Sequence, residues 1–196
     1  MPKEKIVPIP VGADEEVFKP RKDSTERGIF EVFFYGNIVP LHGLGVILKA
    51  IGQLEAAGHI EDGMHFTIVG GQGKPQMMQL VETFVGENKL QNYITHIPWV
   101  DYHNLPEYVA KSDVCLGGPF GDTGQAKRVI TGKTYQFMAM AKPTIIGKGQ
   151  NTENFIDKEN CLMVKQGSPD ALADTIMWAF KHKKQLKSIG INGREL

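Results

Sequence analysis

Short apolar runs alternate with longer amphipathic segments from residue 29 almost to the end of the chain. Six apolar runs have the length of strands and are apolar on both faces: IFEVFFYG, MHFTIVGG, NYITHIPWV, DVCLGG, PTIIG and CLMV. In the longer segments, apolar residues recur at the three- and four-residue spacing of helices. These helical segments are LGVILKAIGQLEAAG, PQMMQLVETFVGEN, LPEYVAKSD, RVITGKTYQFMAMAKP and SPDALADTIMWAFKHKKQLKS.

Local signals mark the ends of several predicted helices. Gly58 ends the first helix, because glycine readily adopts the left-handed conformation that follows a helix. Pro75 suits the first turn of the second helix, where no backbone N–H is needed. In the last segment, Ser168 is the predicted N-cap, Pro169 the first helical residue, and Asp170 interacts favourably with the helix dipole. We predict one long helix there, over residues 168–188.

The alternation of strand and helix indicates the fold class. Strands that are apolar on both faces are typical of a parallel sheet covered by helices on both sides. We therefore predict a doubly wound, Rossmann-like α/β domain over residues 28–196, with a mainly parallel sheet. Residues 1–27 are rich in proline and then in charge, which favours an extended linker. Ligands of such folds bind beyond the carboxyl ends of the strands, so the loops that follow the strands are the candidate site.

The composition of the chain excludes several function classes. Of 196 residues, 41% are hydrophobic and 22% are charged, which is typical of a globular domain and not of a disordered chain. The 22 basic residues equal the 22 acidic ones, so no overall field attracts nucleic acid. Any anion must therefore be bound by a local site.

Hydropathy and cysteine content bear on location. No apolar run approaches the roughly 20 residues that span a bilayer, and the N-terminal stretch MPKEKIVPIPVGADEE lacks the apolar core of a signal peptide. Cys115 and Cys161 lie in apolar strand-like runs, so we expect buried free thiols in preference to a disulfide or a metal site. We expect a cytoplasmic protein, with peripheral membrane association of a longer chain left open.

Three glycine-rich loops follow predicted strands and are candidates for ligand binding. They cover residues 36–43, 70–74 and 117–124. None is a P-loop and none has the spacing GxGxxG. A single loop of this kind is most simply a tight turn, but three loops at one edge of a sheet predict a binding cleft, because glycine lets a ligand approach the backbone.

The entrance of the fourth predicted helix is the clearest candidate for an anion site. Thr131, Gly132 and Lys133 stand at its start, where backbone N–H groups and a lysine could hold two phosphates. Arg128 lies just upstream. The apolar residues of the same helix are predicted to face the sheet: Phe137, Met138 and Met140. Tyr135 fits the core or the cleft equally well.

Three further polar residues in these loops keep two interpretations each. His42 could face the cleft, or it could be solvated or cap its own turn. Asp122 and Thr123 could hydrogen-bond a sugar hydroxyl or close their own loop. The sequence contains no evident Ser-His-Asp or Cys-His arrangement and no paired carboxylates near the loops. An enzyme with this site would bind and position a phosphorylated donor without supplying a nucleophile.

An ordered set of segments resembles a known family. The set runs from VPIPVGAD through FFYGNIVPLHGLGVILKAI, FTIVGGQG, ITHIPWV, LPEYVAKSDVCLGG and FGDTGQAKRVITGKTYQFMAMAKPTI to ENCLMVKQGSPDALADTI. Over nearly all of residues 6–180 it is similar to the C-terminal domain of GT-B-fold glycosyltransferases of the family-4 type. The resemblance implies a nucleotide-sugar donor site here and an N-terminal acceptor domain outside this sequence. VPIPVGAD resembles the crossover between the two domains, and the closing helix that returns to the acceptor domain is expected beyond NGREL.

Two family motifs are altered in this chain. The loop GNIVPLHG, which begins at Gly36 and ends at Gly43, matches a family loop of the form GRLVPEKG, whose Arg and Lys contact the donor diphosphate. Asn37 and His42 stand at those two positions. The family's E-x7-E element binds the donor sugar and the ribose, and it aligns with Arg128 and Gln136.

A branch of the family with a pattern like KARRVIPNKVYEALAM has a basic residue at the first of these positions. By resemblance to it, Lys127, Arg128 and Lys133 supply the positive charge that the first loop lacks. Gln136 remains able to hydrogen-bond a ribose diol, because an amide both donates and accepts.

Two further segments are matched to the donor site. In IPWV, Val100 is expected to contact the nucleobase through its backbone, and Trp99 to lie in the cleft or in the core. Gly71, in the second glycine loop, is also assigned to the donor site by the resemblance.

The resemblance implies a specific activity. A hexosyl group would pass from a UDP- or GDP-sugar to a glycan or lipid-linked acceptor, as in the synthesis of polysaccharide, O-antigen or glycolipid. Transfer would need no cofactor or metal and would retain the anomeric configuration, with Arg128 and Lys133 as the catalytic cations. The isolated domain would bind donor without turnover.

Two alternatives stay open. The replacements at Asn37, His42 and Gln136 fit a degenerate GT-B domain that acts as a scaffold. A GT-B sugar-nucleotide epimerase would need an acid or base over the sugar, for which only Asp122 and His42 are available.

Overall fold

The structure, a computed structural model, describes residues 11–21, 28–36 and 39–196. Its sheet has six strands in the order β3-β2-β1-β4-β5-β6, and every pairing is parallel. The strands are β1 (Phe30–Tyr35), β2 (Met64–Val69), β3 (Ile94–Ile97), β4 (Val114–Leu116), β5 (Thr144–Lys148) and β6 (Leu162–Lys165). Four of them lie within the predicted runs, whereas β5 and β6 each extend one residue further, to Lys148 and Lys165. The doubly wound α/β fold is confirmed.

Helices follow the strands in the predicted order. They are α1 (Leu44–Ala56), α2 (Pro75–Glu87), α3 (Leu105–Lys111), α4 (Gly132–Ala139), α5 (Pro169–Lys181) and α6 (Lys183–Arg194), with 3-10 turns at Pro40–His42 and Ala126–Arg128. At α5, Ser168 is the N-cap as predicted, and its hydroxyl oxygen accepts a hydrogen bond from the backbone N–H of Ala171.

The prediction of a single long helix over residues 168–188 is wrong, because the helix is interrupted at His182. The backbone of this residue has φ −116° and ψ 34°, outside the helical region. Its imidazole stacks on Trp178 with ring centroids 4.4 Å apart, and Nδ1 donates a hydrogen bond of 2.7 Å to the Trp178 carbonyl oxygen. That side-chain contact ends α5 one residue before α6 begins.

Successive residues of β1 pack into hydrophobic clusters on opposite faces of the sheet. Phe30, Val32 and Phe34 join the cluster that α1 and α5 cover, whereas Phe33 packs on the other face against Phe137 of α4. Burial on both faces explains why the strands are apolar throughout. The core residues predicted in this segment are buried: Phe137 and Met138 of α4, and Met140, which is its C-cap.

Part of the predicted linker packs on the domain. Phe18 is fully buried in the same cluster as Phe33 and meets the Tyr102 ring edge-on at 5.3 Å between centroids. Residues 1–10 and 22–27 of that segment lie outside the described residues. The assignment of residues 1–27 as an interdomain linker therefore stays a prediction, with residues near Phe18 anchored to the sheet.

Both cysteines are buried free thiols, as the sequence predicts. Burial raises the pKa of each thiol to about 12, so neither is a reactive thiolate at neutral pH. Among the helices of the described ranges, none has the length and apolar character needed to cross a bilayer.

The order of the strands locates the crevice where ligands of this fold bind. The connections run outward in opposite directions from β1 and β4, so the sheet reverses its winding between these two neighbours. Loops on either side separate at such a point and leave a crevice at the carboxyl ends of the strands. Gly36 follows β1 there, and the loop that leads into α4 follows β4.

Candidate functional site

A cavity of about 550 Å³ opens at the carboxyl ends of β1, β2 and β3. Its walls include Gly36 and Gly71 from the first two glycine loops and the residues Trp99, Val100 and Tyr102 that follow β3. The two glycine loops touch backbone to backbone. A Cβ on Gly70, whose φ is 140°, would lie 2.2 Å from the Gly36 carbonyl oxygen. Only glycine permits this approach, so the loop sequence shapes one wall of the cavity.

The segment after β3 exposes both an aromatic ring and a polar backbone pair. Trp99 is 58% exposed, which rejects its core interpretation and places it at the cavity. Within the part of the chain that the structure describes, neither the N–H nor the C=O of Val100 makes a hydrogen bond. This donor and acceptor, side by side at the cavity wall, are available to the edge of a planar polar ligand.

Lys133, the second residue of α4, is buried next to Gly36, a residue of the cavity wall. Its side chain is 6% exposed, and Nζ lies 5.0 Å from the centre of the Phe34 ring. No carboxylate or hydrogen-bond acceptor among the described residues pairs with it. Burial lowers the pKa of Lys133 from 10.5 to about 7. In the described ranges, every side-chain nitrogen that is fully shielded from solvent has a hydrogen-bond partner. Because Lys133 Nζ has no such partner, it must still be reached by solvent.

His42 and Lys133 converge on Gly36 from different elements. A Cβ added to Gly36 would lie 3.1 Å from Lys133 Nζ and 3.2 Å from His42 Nδ1. His42 ends the 3-10 turn Pro40–His42, and Gly43 caps that turn with φ 71°. A Cβ on Gly43 would lie 2.5 Å from the Gly121 backbone nitrogen, so Gly43 serves the packing of the first and third glycine loops. Asn37 lies outside the described residues.

The N-terminus of α4 lies next to the Lys133 ammonium. Thr131 is the N-cap, but its hydroxyl donates to the Gly117 carbonyl oxygen at 2.7 Å and does not cap the helix. Gly132 is the first helical residue, so the unpaired N–H groups and positive end of the helix dipole lie beside a cation. Both features favour an anion at the same point.

Gln136 lies one turn along α4 from Lys133, on the same face of the helix. Its Nε2 is 3.5 Å from the Tyr102 hydroxyl oxygen, and Tyr102 lines the cavity. Gln136 is therefore at the cavity's edge. Tyr102 is not among the site residues predicted from the sequence. The single signal for it is its position two residues after Val100, in a loop at the carboxyl ends of the strands.

The remaining predicted residues group elsewhere. Lys127 Nζ and Asp122 Oδ1 form an ion pair of 2.7 Å, and both side chains are exposed. Thr123 closes its own loop by accepting a hydrogen bond from the Ala126 N–H. Asp122 and Lys127 line a second cavity that shares no lining residue with the first. Arg128 is exposed on the 3-10 turn, three residues before the α4 N-cap.

Comparison with known proteins bears on the family to which the chain belongs. The family model "Glycosyl transferases group 1" matches residues 30–182. A curated relative, an uncharacterised glycosyltransferase of Methanocaldococcus jannaschii, is 26% identical over 165 residues, which are 83% of this chain and 41% of the relative. The chain thus spans less than half the length of that relative.

Two solved structures have the same fold. The C-terminal domain of a glycosyl transferase group 1 family protein from Francisella tularensis superposes with a TM-score of 0.74 at 19% identity, covering 94% of this chain and 95% of that one. Anabaena HepE in complex with UDP-glucose gives 0.74 at 16% identity, covering 94% of this chain and half of that one. At these identities the structures establish the fold alone, whereas the family model covers most of the sequence. The chain belongs to the glycosyl transferases group 1 family, of which it has the C-terminal domain.

Proposed function

We propose that this domain binds a nucleotide-sugar donor, and that in a longer chain it transfers a hexosyl group to a glycan or lipid-linked acceptor. The observation that carries the proposal is Lys133, a buried lysine with no anionic partner among the described residues, beside the N-terminus of α4. An unpaired buried charge is costly. A donor diphosphate would provide the missing counter-charge at the crevice where ligands of this fold bind.

The donor diphosphate would sit over Gly36. Lys133 and the first N–H groups of α4 would hold its oxygens, and His42 approaches the same point from the first glycine loop. Negative charge grows on the diphosphate as the bond to the sugar breaks. A cation and a helix N-terminus already in place stabilise that charge without reorganisation. In this proposal Lys133 is the central catalytic group, and Arg128 acts from the exposed entrance of the helix.

The nucleoside would occupy the cavity after β1 to β3. The Val100 backbone offers a donor and an acceptor to the base edge, and Trp99 offers an aromatic face. Gln136, with Tyr102 beside it, would bind the ribose diol, since an amide can donate to one hydroxyl and accept from the other. The UDP-glucose complex of Anabaena HepE supports a UDP-sugar donor, with a GDP-sugar as the alternative.

The proposal extends to the whole enzyme. Transfer would proceed without a metal, because Lys133 and the α4 N-terminus would neutralise the leaving group. By resemblance to the family, it would retain the anomeric configuration. The acceptor would bind a domain outside this chain, so the present domain would bind donor without turnover. We place the enzyme in the cytoplasm, where nucleotide-sugars would reach it.

Calorimetric titration with UDP, GDP and ADP, with and without Mg²⁺, tests this function. We expect binding of UDP or GDP that does not require Mg²⁺ and that weakens in Lys133→Met. Absence of binding for all three nucleotides at millimolar concentration would reject the donor site.

A non-catalytic scaffold is the second candidate, favoured by Gln136 where the family has a glutamate. It predicts no nucleotide binding in the same titration. A sugar-nucleotide epimerase has less support, because Asp122 is paired with Lys127 outside the first cavity.

A further inference from the structure

A second cavity, of about 390 Å³, lies at the carboxyl ends of β5 and β6. Its charged lining consists of three lysines, Lys127, Lys148 and Lys165, and one acid, Asp122. We call it the β5–β6 pocket. It lies on the same functional edge of the sheet as the donor cavity, and the proposed donor site does not account for its charge.

Lys148 and Lys165 are cross-strand neighbours in the parallel register of β5 and β6. Side chains at paired positions point to the same face of a sheet, and like charges placed opposite each other are destabilising. No acidic residue of the described ranges forms an ion pair with either lysine. Two adjacent cations therefore face the pocket, and neither has an ion-pair partner among the described residues.

Asp122 does not neutralise the pocket. Its carboxylate forms the 2.7 Å ion pair with Lys127 Nζ. The pKa of Asp122 is lowered by the hydrogen bond and charge of Lys127, and further by the charge of Lys165. The pocket thus has one carboxylate and three lysines, so its net charge is positive.

Hydrogen bonds hold the wall of the pocket in place. Gln166 is 8% exposed, and its Nε2 donates to the carbonyl oxygens of Ala126 at 2.8 Å and Pro119 at 3.3 Å. The Gln150 N–H donates to the Lys127 carbonyl oxygen at 2.7 Å. These bonds join the ends of β5 and β6 to the turn that carries Lys127. They therefore hold the backbone that carries the three lysines in one arrangement.

We propose that the β5–β6 pocket binds a phosphate group other than the donor diphosphate. A doubly charged oxyanion would interact with Lys148 and Lys165 together and remove their mutual repulsion. In a longer chain this group would be the phosphate ester of a phosphorylated acceptor, an assignment that rests on the proposed function. Anion binding by the pocket does not rest on it.

The test follows backbone amide resonances by NMR while inorganic phosphate or glycerol 3-phosphate is added, with and without saturating UDP. We expect shifts at Gly149, Gln150 and Gln166 with either ligand, unaltered by UDP. Tighter binding of the ester supports a phosphorylated acceptor as the source, whereas tighter binding of inorganic phosphate overturns that assignment.

Charge-removing variants connect the shifts to the lysines. Lys148→Gln and Lys165→Gln should each weaken phosphate binding about fivefold, the factor that one charge pair at 4 Å contributes in water. Lys184 is an exposed lysine on α6, and Lys184→Gln is the matched control, which should leave phosphate affinity unchanged. Unchanged affinity in both pocket variants, or shifts confined to the donor cavity and abolished by UDP, would overturn the proposal. These variants should bind UDP with wild-type affinity. Refutation of the phosphate site can therefore be distinguished from refutation of the donor site.

Discussion

Replacing Lys133 with methionine removes the buried charge of the donor site while keeping a long apolar stem of similar shape. A hydrogen bond to a charged group contributes about 1.5–3 kcal/mol. At about 1.4 kcal/mol per factor of ten, the variant should bind UDP about 10- to 150-fold more weakly. Calorimetry on the wild-type and variant domains gives both affinities directly.

The same substitution should stabilise the free domain. The pKa of Lys133 is about 7 when folded, against 10.5 for an ordinary lysine, because burial disfavours the charged form. The unfolded chain therefore binds more protons between these values, so the burial penalty is complete below pH 7 and is relieved as the pH rises. At pH 6.5, Lys133→Met should raise the free energy of unfolding by on the order of 1–4 kcal/mol. The advantage should shrink towards pH 10.

Ligand binding adds a third readout. At pH 8 the free wild-type domain holds Lys133 mostly neutral, and a diphosphate at Nζ should restore its proton. UDP binding should therefore take up close to one proton, measured by calorimetry in buffers of different ionisation enthalpy, and Lys133→Met should abolish this uptake.

Lys142 supplies the matched control for these measurements. It is a similarly buried lysine, but its Nζ donates to the carbonyl oxygens of Ala110 and Ser112. Lys142→Met should destabilise the domain and leave UDP affinity unchanged. Equal UDP affinity in wild type and Lys133→Met, or a loss of stability in that variant at pH 6.5, would refute the reasoning.

Three further substitutions examine other parts of the domain. Gln136→Glu should tighten UDP binding by about 1 kcal/mol in calorimetry, since charged acceptors make stronger hydrogen bonds to hydroxyls, and no gain would speak against a ribose contact. Trp99→Ala should weaken UDP binding by about 1–3 kcal/mol through lost stacking, with unfolding unaffected because the ring is exposed; unaltered affinity would remove Trp99 from the site. Phe18→Ala should lower the free energy of unfolding in urea by about 3–5 kcal/mol, and a loss below 1 kcal/mol would contradict its burial.

Much of the fold follows from local patterns in the sequence. Apolar runs and helical spacing predict all six strands in their order along the chain, because burial on both faces of a parallel sheet leaves a continuous apolar signature. The prediction of one long helix over residues 168–188 was wrong for a local reason. The His182 ring contacts Trp178 where the helix is interrupted, and the periodicity of apolar residues does not report such a contact. Phe18, in a proline-rich and charged segment, gave no periodic signal of its burial.

The site was predictable only in part. The sequence by itself determined that glycine loops and the entrance of α4 would lie at one edge of the sheet, since every parallel strand ends there. Tertiary structure decided which side chains meet: Lys133 and His42 over Gly36, Tyr102 beside Gln136, and Asp122 with Lys127 in a different pocket. The physical reason is that periodicity reports the burial of regular elements, whereas a loop takes its path from contacts with residues distant in the chain.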